Sequence, residues 1–308
     1  MILLCVLTVF GSIALDTTRT PFQIKERILG GAATYASLSG SFFVRASLIG
    51  IVGYDFPQSY QTLLENRVDT KGLMKHPEKK TFFYDSSFDY DLSHRTTNKT
   101  ELNVIENFEP MVPLDYANSK FVYLANNDPD QNLKILKKFN HPELVVCDTI
   151  EYWIREKKNS VISMMEKTHG VIINDQEARL LCNLSNLIKC GKQILSWGPS
   201  FVIIKKGEHG VLFFSQDDVF PIPGYPIEDV VDPTGAGDSF AGGFMGHLIS
   251  KFQKNIFDNN DLVRDSILFG NIMGTFAIED FGINKLVNID ISDIMARNKK
   301  YRDLLSLS

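Results

Sequence analysis

Short, uninterrupted apolar runs recur along the chain, each separated from the next by an amphipathic stretch, and this rhythm restricts the fold more than any other feature. Leu3–Phe10, Arg45–Ile51, Phe121–Leu124, Leu144–Cys147, Val171–Ile173, Phe201–Ile204 and Val211–Phe214 read as strands. A strand that is apolar at nearly every position must be covered on both faces. Between these runs Ala32–Ser39, Ser59–Asn66, Gln131–Phe139, Asn159–Lys167, Gln176–Leu181 and Leu184–Leu195 read as helices. Beyond Asp238 the chain turns helical over Ser239–Phe252, Asp261–Ile278 and Ile291–Leu305. Such alternation predicts an α/β fold of three layers, α/β/α, around a mainly parallel central sheet.

One region breaks the rhythm. Residues 80–108 are polar, aromatic and β-leaning with no helical period, and loops this long are uncommon unless they cover a site. They predict a small β lid, to which residues 16–30 are candidates to contribute. No repeat, low-complexity tract or linker divides the 308 residues, so one domain spanning 1–308 is expected. With 44% apolar and 22% charged residues there is chain enough for one large core. The 32 lysines and arginines against 37 acids leave no basic excess to replace counterions along a nucleic acid. MILLCVLTVF at residues 1–10 lacks a basic n-region and is too short to span a bilayer, as is every other apolar run, so no membrane partner is expected. Four cysteines, Cys5, Cys147, Cys182 and Cys190, show no C-x-x-C pair and suit a reduced, cytoplasmic protein.

Chemistry concentrates in Asp232-Pro233-Thr234-Gly235-Ala236-Gly237-Asp238-Ser239-Phe240-Ala241-Gly242-Gly243-Phe244. The N–H groups of Gly235, Ala236 and Gly237 have almost no side chains in their way and can converge on an anion. A helix starting at the same point adds partial positive charge. Asp238 stands beside that cradle as a carboxylate. Phosphoryl transfer to an alcohol needs this pairing, with donors for the moving group and an acceptor for the hydroxyl proton. There is no G-x-x-x-x-G-K-[ST], no protein-kinase H-R-D or D-F-G set, and no metal-ligand spacing among the six histidines.

At these residues the chain resembles the ribokinase-like sugar kinases, the PfkB carbohydrate kinase family, and further landmarks follow in that family's order from Gly11 to about Gly282. The resemblance implies that Asp16 holds acceptor hydroxyls and that the backbone of Gly30 and Gly31 lets the acceptor approach closely. It implies ATP contacts from Asn174, Lys206, Gly207, Gly210, Gly237 and Asn271, and Glu177 acting through water on Mg²⁺. Asp232, Thr234 and Gly282 are implied to surround the site where many members bind a monovalent cation, usually K⁺. Taken alone, several landmarks have plainer uses: Asn174 and Glu177 as a helix cap and first-turn acid, Asn271 as an inward residue satisfied by its neighbours.

Two departures concern the acceptor. Tyr35 stands where sugar kinases of the family carry asparagine, and Asn127 is neutral where ribokinase-type members use an acid. With Phe82, Phe83, Tyr84, Phe88 and Tyr90 of the lid, Tyr35 could form an apolar wall or stack on a flat base. Those lid aromatics could equally form the lid's own core or a lid–lid contact in a homodimer. Asp148, ending a strand, is a further pocket candidate. The expected activity is ATP- and Mg²⁺-dependent phosphorylation of a small sugar or related polyol, with Asp238 as general base. A nucleoside kinase of the same family is the alternative within that class, and a non-catalytic sugar- or nucleotide-binding sensor is the alternative outside it.

Overall fold

The computed structural model describes residues 6–92, 95–251 and 260–306. Thirteen strands form two sheets among the described residues. Strands β1 (Val6–Phe10), β2 (Ala14–Arg19), β3 (Ile24–Gly30), β4 (Arg45–Val52), β5 (Asp69–Lys75), β6 (Phe82–Phe88) and β7 (Arg95–Glu101) come from the first third of the chain. Strands β8 (Phe121–Leu124), β9 (Leu144–Cys147), β10 (Gly170–Asn174), β11 (Phe201–Lys205), β12 (Val211–Ser215) and β13 (Val219–Ile222) follow. The helices are α1 (Ala32–Gly40), α2 (Gln58–Glu65), α3 (Pro129–Leu136), α4 (Glu151–Glu156), α5 (Lys158–Met165), α6 (Asp175–Cys182), α7 (Leu187–Ser196), α8 (Ala236–Ser250), α9 (Asn260–Ala277), α10 (Asn284–Asn288) and α11 (Ile291–Leu305).

The main sheet has nine strands in the order β13-β12-β11-β10-β9-β8-β1-β4-β5. It is parallel except where β12 returns antiparallel to β11 and β13 to β12. Side chains alternate between two cores, as the two-residue period of a strand requires. On β8, Phe121 and Tyr123 join the core under α1, α8 and α9, whereas Val122 and Leu124 join the core under α3, α5 and α7. The α/β/α architecture expected from the apolar runs is therefore present.

The second sheet, in the order β3-β2-β6-β7, stands apart from this stack. It contains the region that broke the helical rhythm together with the β2–β3 hairpin. Asp85 on β6 ties three of its strands, accepting 3.0 and 2.9 Å hydrogen bonds from Arg19 on β2 and a 2.9 Å bond from Asn98 on β7. A fork-on-carboxylate contact of this kind fixes orientation as well as distance.

Several boundaries differ from the sequence reading. Leu3–Cys5 and Phe252 lie outside the described residues. α8 begins at Ala236 rather than Ser239, because Gly235 takes a left-handed conformation (φ 80°) and serves as its N-cap. Strands β5 and β13 carry no continuous apolar run because each is an edge strand. Pro221 fits β13 for the same reason, since an edge position tolerates a missing N–H.

Close approach between α8 and α1 sets the height of the α8 N-terminus over the sheet. A Cβ at Gly242 would stand 2.1 Å from the Ala36 carbonyl oxygen, and one at Gly246 2.8 Å from that of Gly40. Gly242→Val should push these helices apart and cost about 1–3 kcal/mol. A urea-unfolding midpoint equal to that of the unsubstituted protein would contradict this packing.

Candidate active site

The carboxyl ends of β1, β8, β9, β10 and β11 face the second sheet and the start of α8. Ligands of open α/β sheets bind at such an edge. Gly235 caps α8, so Ala236, Gly237 and Asp238 form its first turn with N–H groups that lack a partner inside the helix, that of Ala236 making a long 3.4 Å bond back to Pro233 O. The Tyr35 ring packs against this cap. A Cβ at Gly235 would lie 2.3 Å from Tyr35 Cε1, which excludes any side chain there. On the other side a Cβ at Gly237 would lie 2.8 Å from Lys205 Nζ. The cradle thus has an aromatic wall and a cationic one.

Asp238 is half-buried in this turn. Burial and then Asp148 raise its carboxyl, against Lys205 and Arg95, to about 7. Lys205 ends β11 beside Asn174 on β10, and its ammonium donates to Asp148 Oδ2 at 3.1 Å. The same Asp148 oxygen accepts from the Tyr123 hydroxyl at 3.2 Å. Glu177, on α6, is pushed to about 8 by burial and then by Asp148, with Lys205 opposing. Four side chains, from the residue after β9 and from β11, α6 and α8, therefore share one electrostatic environment, three acids around one lysine.

The sequence-named residues separate into distinct places. Asp16, on β2, is buried, and its Oδ1 has no hydrogen-bond partner. Burial and Asp232 raise it to about 8, against Arg95 and the Gly31 N–H. Gly30 and Gly31 are glycines of necessity. A Cβ at Gly30 would lie 1.8 Å from Asp16 Oδ2, and Gly31 has φ 94° with Ser12 O 2.5 Å from its would-be Cβ. Asn127 donates to Gln131 Oε1 at 2.9 Å and leaves its buried Oδ1 unpartnered. Asp232 is wholly buried; one oxygen accepts the Thr234 N–H at 2.9 Å while Oδ2 is unpartnered. Gly282, with φ 58°, packs near Leu29 O.

Other sequence-named residues have partners within the fold. Tyr35 is 1% exposed and spends its ring on Gly235, so it offers no stacking face to a flat base. The lid aromatics do not form one wall. Phe82 joins Ala14 and Ile105 in a small core, while Tyr90 meets Phe22 edge-on at 5.8 Å, both strongly exposed. Asn174 and Glu177 make a reciprocal capping box with both bonds at 2.8 Å, so their visible work is to start α6. Asn271 gives its amide to Tyr301 at 2.8 Å and Pro223 O at 3.3 Å, tying α9 to α11. Lys206 donates its backbone N–H to Gly210 O at 2.7 Å, and the lysine at the cradle is Lys205. Gly207 opens onto free space at φ 56°, in the exposed turn between β11 and β12.

Comparison with known proteins accords with this arrangement. The model of the pfkB family carbohydrate kinases matches residues 7–288. The chain is 28% identical over 249 residues to a cytidine kinase of Thermococcus kodakarensis, covering 78% of this chain and 87% of that protein. It is 25% identical over 299 residues to an inositol 3-kinase of Arabidopsis thaliana, covering 92% and 78%. The crystal structure of the Methanocaldococcus jannaschii nucleoside kinase, an archaeal member of the ribokinase family, superposes with a TM-score of 0.76 at 23% identity, covering 96% of this chain and 98% of that one. The fold and site define a ribokinase-like phosphotransferase with a hydroxyl acceptor. The chain belongs to the pfkB family of carbohydrate kinases.

The raised carboxyls have a consequence for the ligand-free protein. Asp16, Glu177 and Asp238 bind protons more tightly folded than unfolded, so their contribution to stability is present at low pH and lost as pH rises from about 4 toward 8. The urea midpoint should fall between pH 6 and pH 9, and Asp16→Asn should flatten that decline. An unchanged pH slope in Asp16→Asn would show that Asp16 is ionised in the folded protein.

Proposed function

We propose that this chain transfers the γ-phosphoryl group of ATP to a primary hydroxyl of a nucleoside. The observation that carries the reading is Asp238, half-buried in the first turn of α8 and raised to about 7, next to outward N–H groups. A general base works best with its pKa near the operating pH. Asp238 takes the acceptor's proton as its oxygen attacks the γ-phosphorus, and the bond from phosphorus to the ADP oxygen breaks. The N–H groups of the Gly235-Ala236-Gly237 turn stabilise charge on the group in transit. Asp16 Oδ1 and Asn127 Oδ1, both buried and unpartnered, are suited to accept from acceptor hydroxyls. The second sheet serves as a lid that keeps water from the phosphoryl group.

Nucleoside is preferred over free sugar because the cytidine kinase relative aligns with most of this chain. The aromatic argument from sequence no longer supports it, since Tyr35 is turned inward. A cyclic polyol is the second reading, supported by the inositol 3-kinase relative that aligns over 92% of the chain. Homodimerisation through the lid would cover the exposed Phe22, Ile24 and Tyr90.

Magnesium and a monovalent cation are tested by the residues present. Among the described residues no three acidic, His or Cys side chains gather closely enough to hold a metal alone. That suits Mg²⁺ held mainly by ATP phosphates with Glu177 acting through water; bound there, it neutralises phosphate charge. The unpartnered Oδ2 of buried Asp232 fits K⁺, with Thr234 and Gly282 beside it. Among the described residues no helix is long and apolar enough to cross a membrane.

Asp238→Asn should lower kcat by about 10²–10⁴-fold with ATP affinity little changed. In the unsubstituted protein kcat/KM should rise with pH through about 7 as Asp238 loses its proton, and the variant should lack that limb. Turnover near normal in Asp238→Asn would remove Asp238 as the base. ADP release screened over nucleosides, pentoses, hexoses and inositols should be fastest with a nucleoside. Tight ATP binding with no transfer to any acceptor would instead return the sensor reading.

A further inference from the structure

We propose that Lys205 is a catalytic residue, the cation that meets the terminal phosphate of ATP at the start of α8, and that Asp148 holds it in place until the nucleotide arrives. The inference rests on the kinase reading and adds to it a residue outside the glycine-rich turn.

Placement comes first. Lys205 is the last residue of β11, paired across the sheet with Asn174 on one side and Val211 on the other. Its ammonium reaches over the sheet edge to the first turn of α8, close enough that Gly237 could carry no Cβ without touching it. An ammonium at that point stands beside the N–H groups that a phosphate would meet. The neighbouring Lys206 lies in the turn that follows, where its backbone N–H bonds Gly210 O at 2.7 Å.

Charge is the second line of argument. The Lys205 side chain is 14% exposed and that of Asp148 5%. A buried ammonium persists only when anions surround it. Burial pulls Lys205 down, but Asp148, then Glu177 and Asp238, more than offset this and hold it above its ordinary value. Lys205 therefore stays charged and transfers no proton. Its visible hydrogen bond goes to one oxygen of Asp148, which also serves Tyr123. An ammonium has three donors, so Lys205 can engage phosphate oxygens without first releasing Asp148. As the acceptor oxygen bonds to phosphorus and the ADP oxygen departs, negative charge spreads over the phosphoryl oxygens. A desolvated cation beside them is then worth far more than in water.

The rival role is purely structural, in which Lys205 exists to neutralise Asp148. Four proteins separate the two: unsubstituted, Lys205→Met, Lys205→Arg, and the double variant Lys205→Met/Asp148→Asn. Calorimetry with ADP and with the β,γ-imido analogue of ATP reads nucleotide binding without an acceptor. The unsubstituted protein should bind the triphosphate analogue more tightly than ADP, and Lys205→Met should lose most of that difference. With an accepted substrate, kcat of Lys205→Met should fall by about 10²-fold or more, the acceptor KM should change little, and Lys205→Arg should recover part of the loss. The double variant should remain as impaired as Lys205→Met. Recovery of both binding and turnover in the double variant would overturn the proposal in favour of neutralisation. So would an unaltered preference for the triphosphate in Lys205→Met. Should Lys205→Met fail to fold, the double variant and Lys205→Arg carry the same comparison. A protein that binds both nucleotides yet phosphorylates no acceptor would fail the kinase reading while the triphosphate preference still judged Lys205; absence of nucleotide binding in the unsubstituted protein would sink both.

Discussion

The contact between α1 and α8 fixes the site. Gly235 rests on the Tyr35 ring, Gly242 on the Ala36 carbonyl and Gly246 on that of Gly40, so three contacts along one helix face leave no room for side chains. An anion cradle made of peptide N–H groups is only as well placed as the helix that carries it. Here the helix is seated by backbone and ring, which do not change rotamer as long side chains do. The left-handed cap at Gly235 then turns the chain out of the loop and into the helix at the required height.

On that scaffold sits an excess of acid. Asp16, Asp148, Glu177, Asp232 and Asp238 are gathered near one edge of the sheet, with Lys205 among them and Arg95 reaching from the second sheet. Burial raises the carboxyls of Asp16, Glu177, Asp232 and Asp238, and neighbouring acids add to it at Asp16, Glu177 and Asp238. Under the proposed function this supplies a base near neutrality and hydroxyl acceptors in a dry pocket; the ligand-free protein bears the strain of them. The arrangement suits a site that takes up a magnesium ion and hydroxyl groups beside an anion cradle, as magnesium-bound ATP and a polyol would supply.

Much of this was legible in sequence because it is local there. The Asp232–Phe244 string declares a glycine turn, a helix start and an adjacent carboxylate within thirteen residues, and continuous apolar runs declare buried strands. What escaped was set by tertiary contacts. Whether Lys205 or Lys206 faces the cradle depends on where β11 ends and which way its last side chain points. Tyr35 reads as an acceptor contact in sequence, but only the packing of α1 on α8 shows its ring turned inward. The β5 and β13 edges were missed because an edge strand needs no unbroken apolar run. Asn271 was drawn to the nucleotide by analogy, whereas the partner that claims its amide lies thirty residues on, in α11.

Asp16 belongs to β2, and β2 is bolted to β6 and β7 through the Arg19–Asp85–Asn98 junction. Asp16, proposed to meet the acceptor, is therefore a fixture of the second sheet and not of the main one. Any swing of that small sheet would carry Asp16 along, so under the proposed function gripping the guest and shutting the door above it are mechanically a single act.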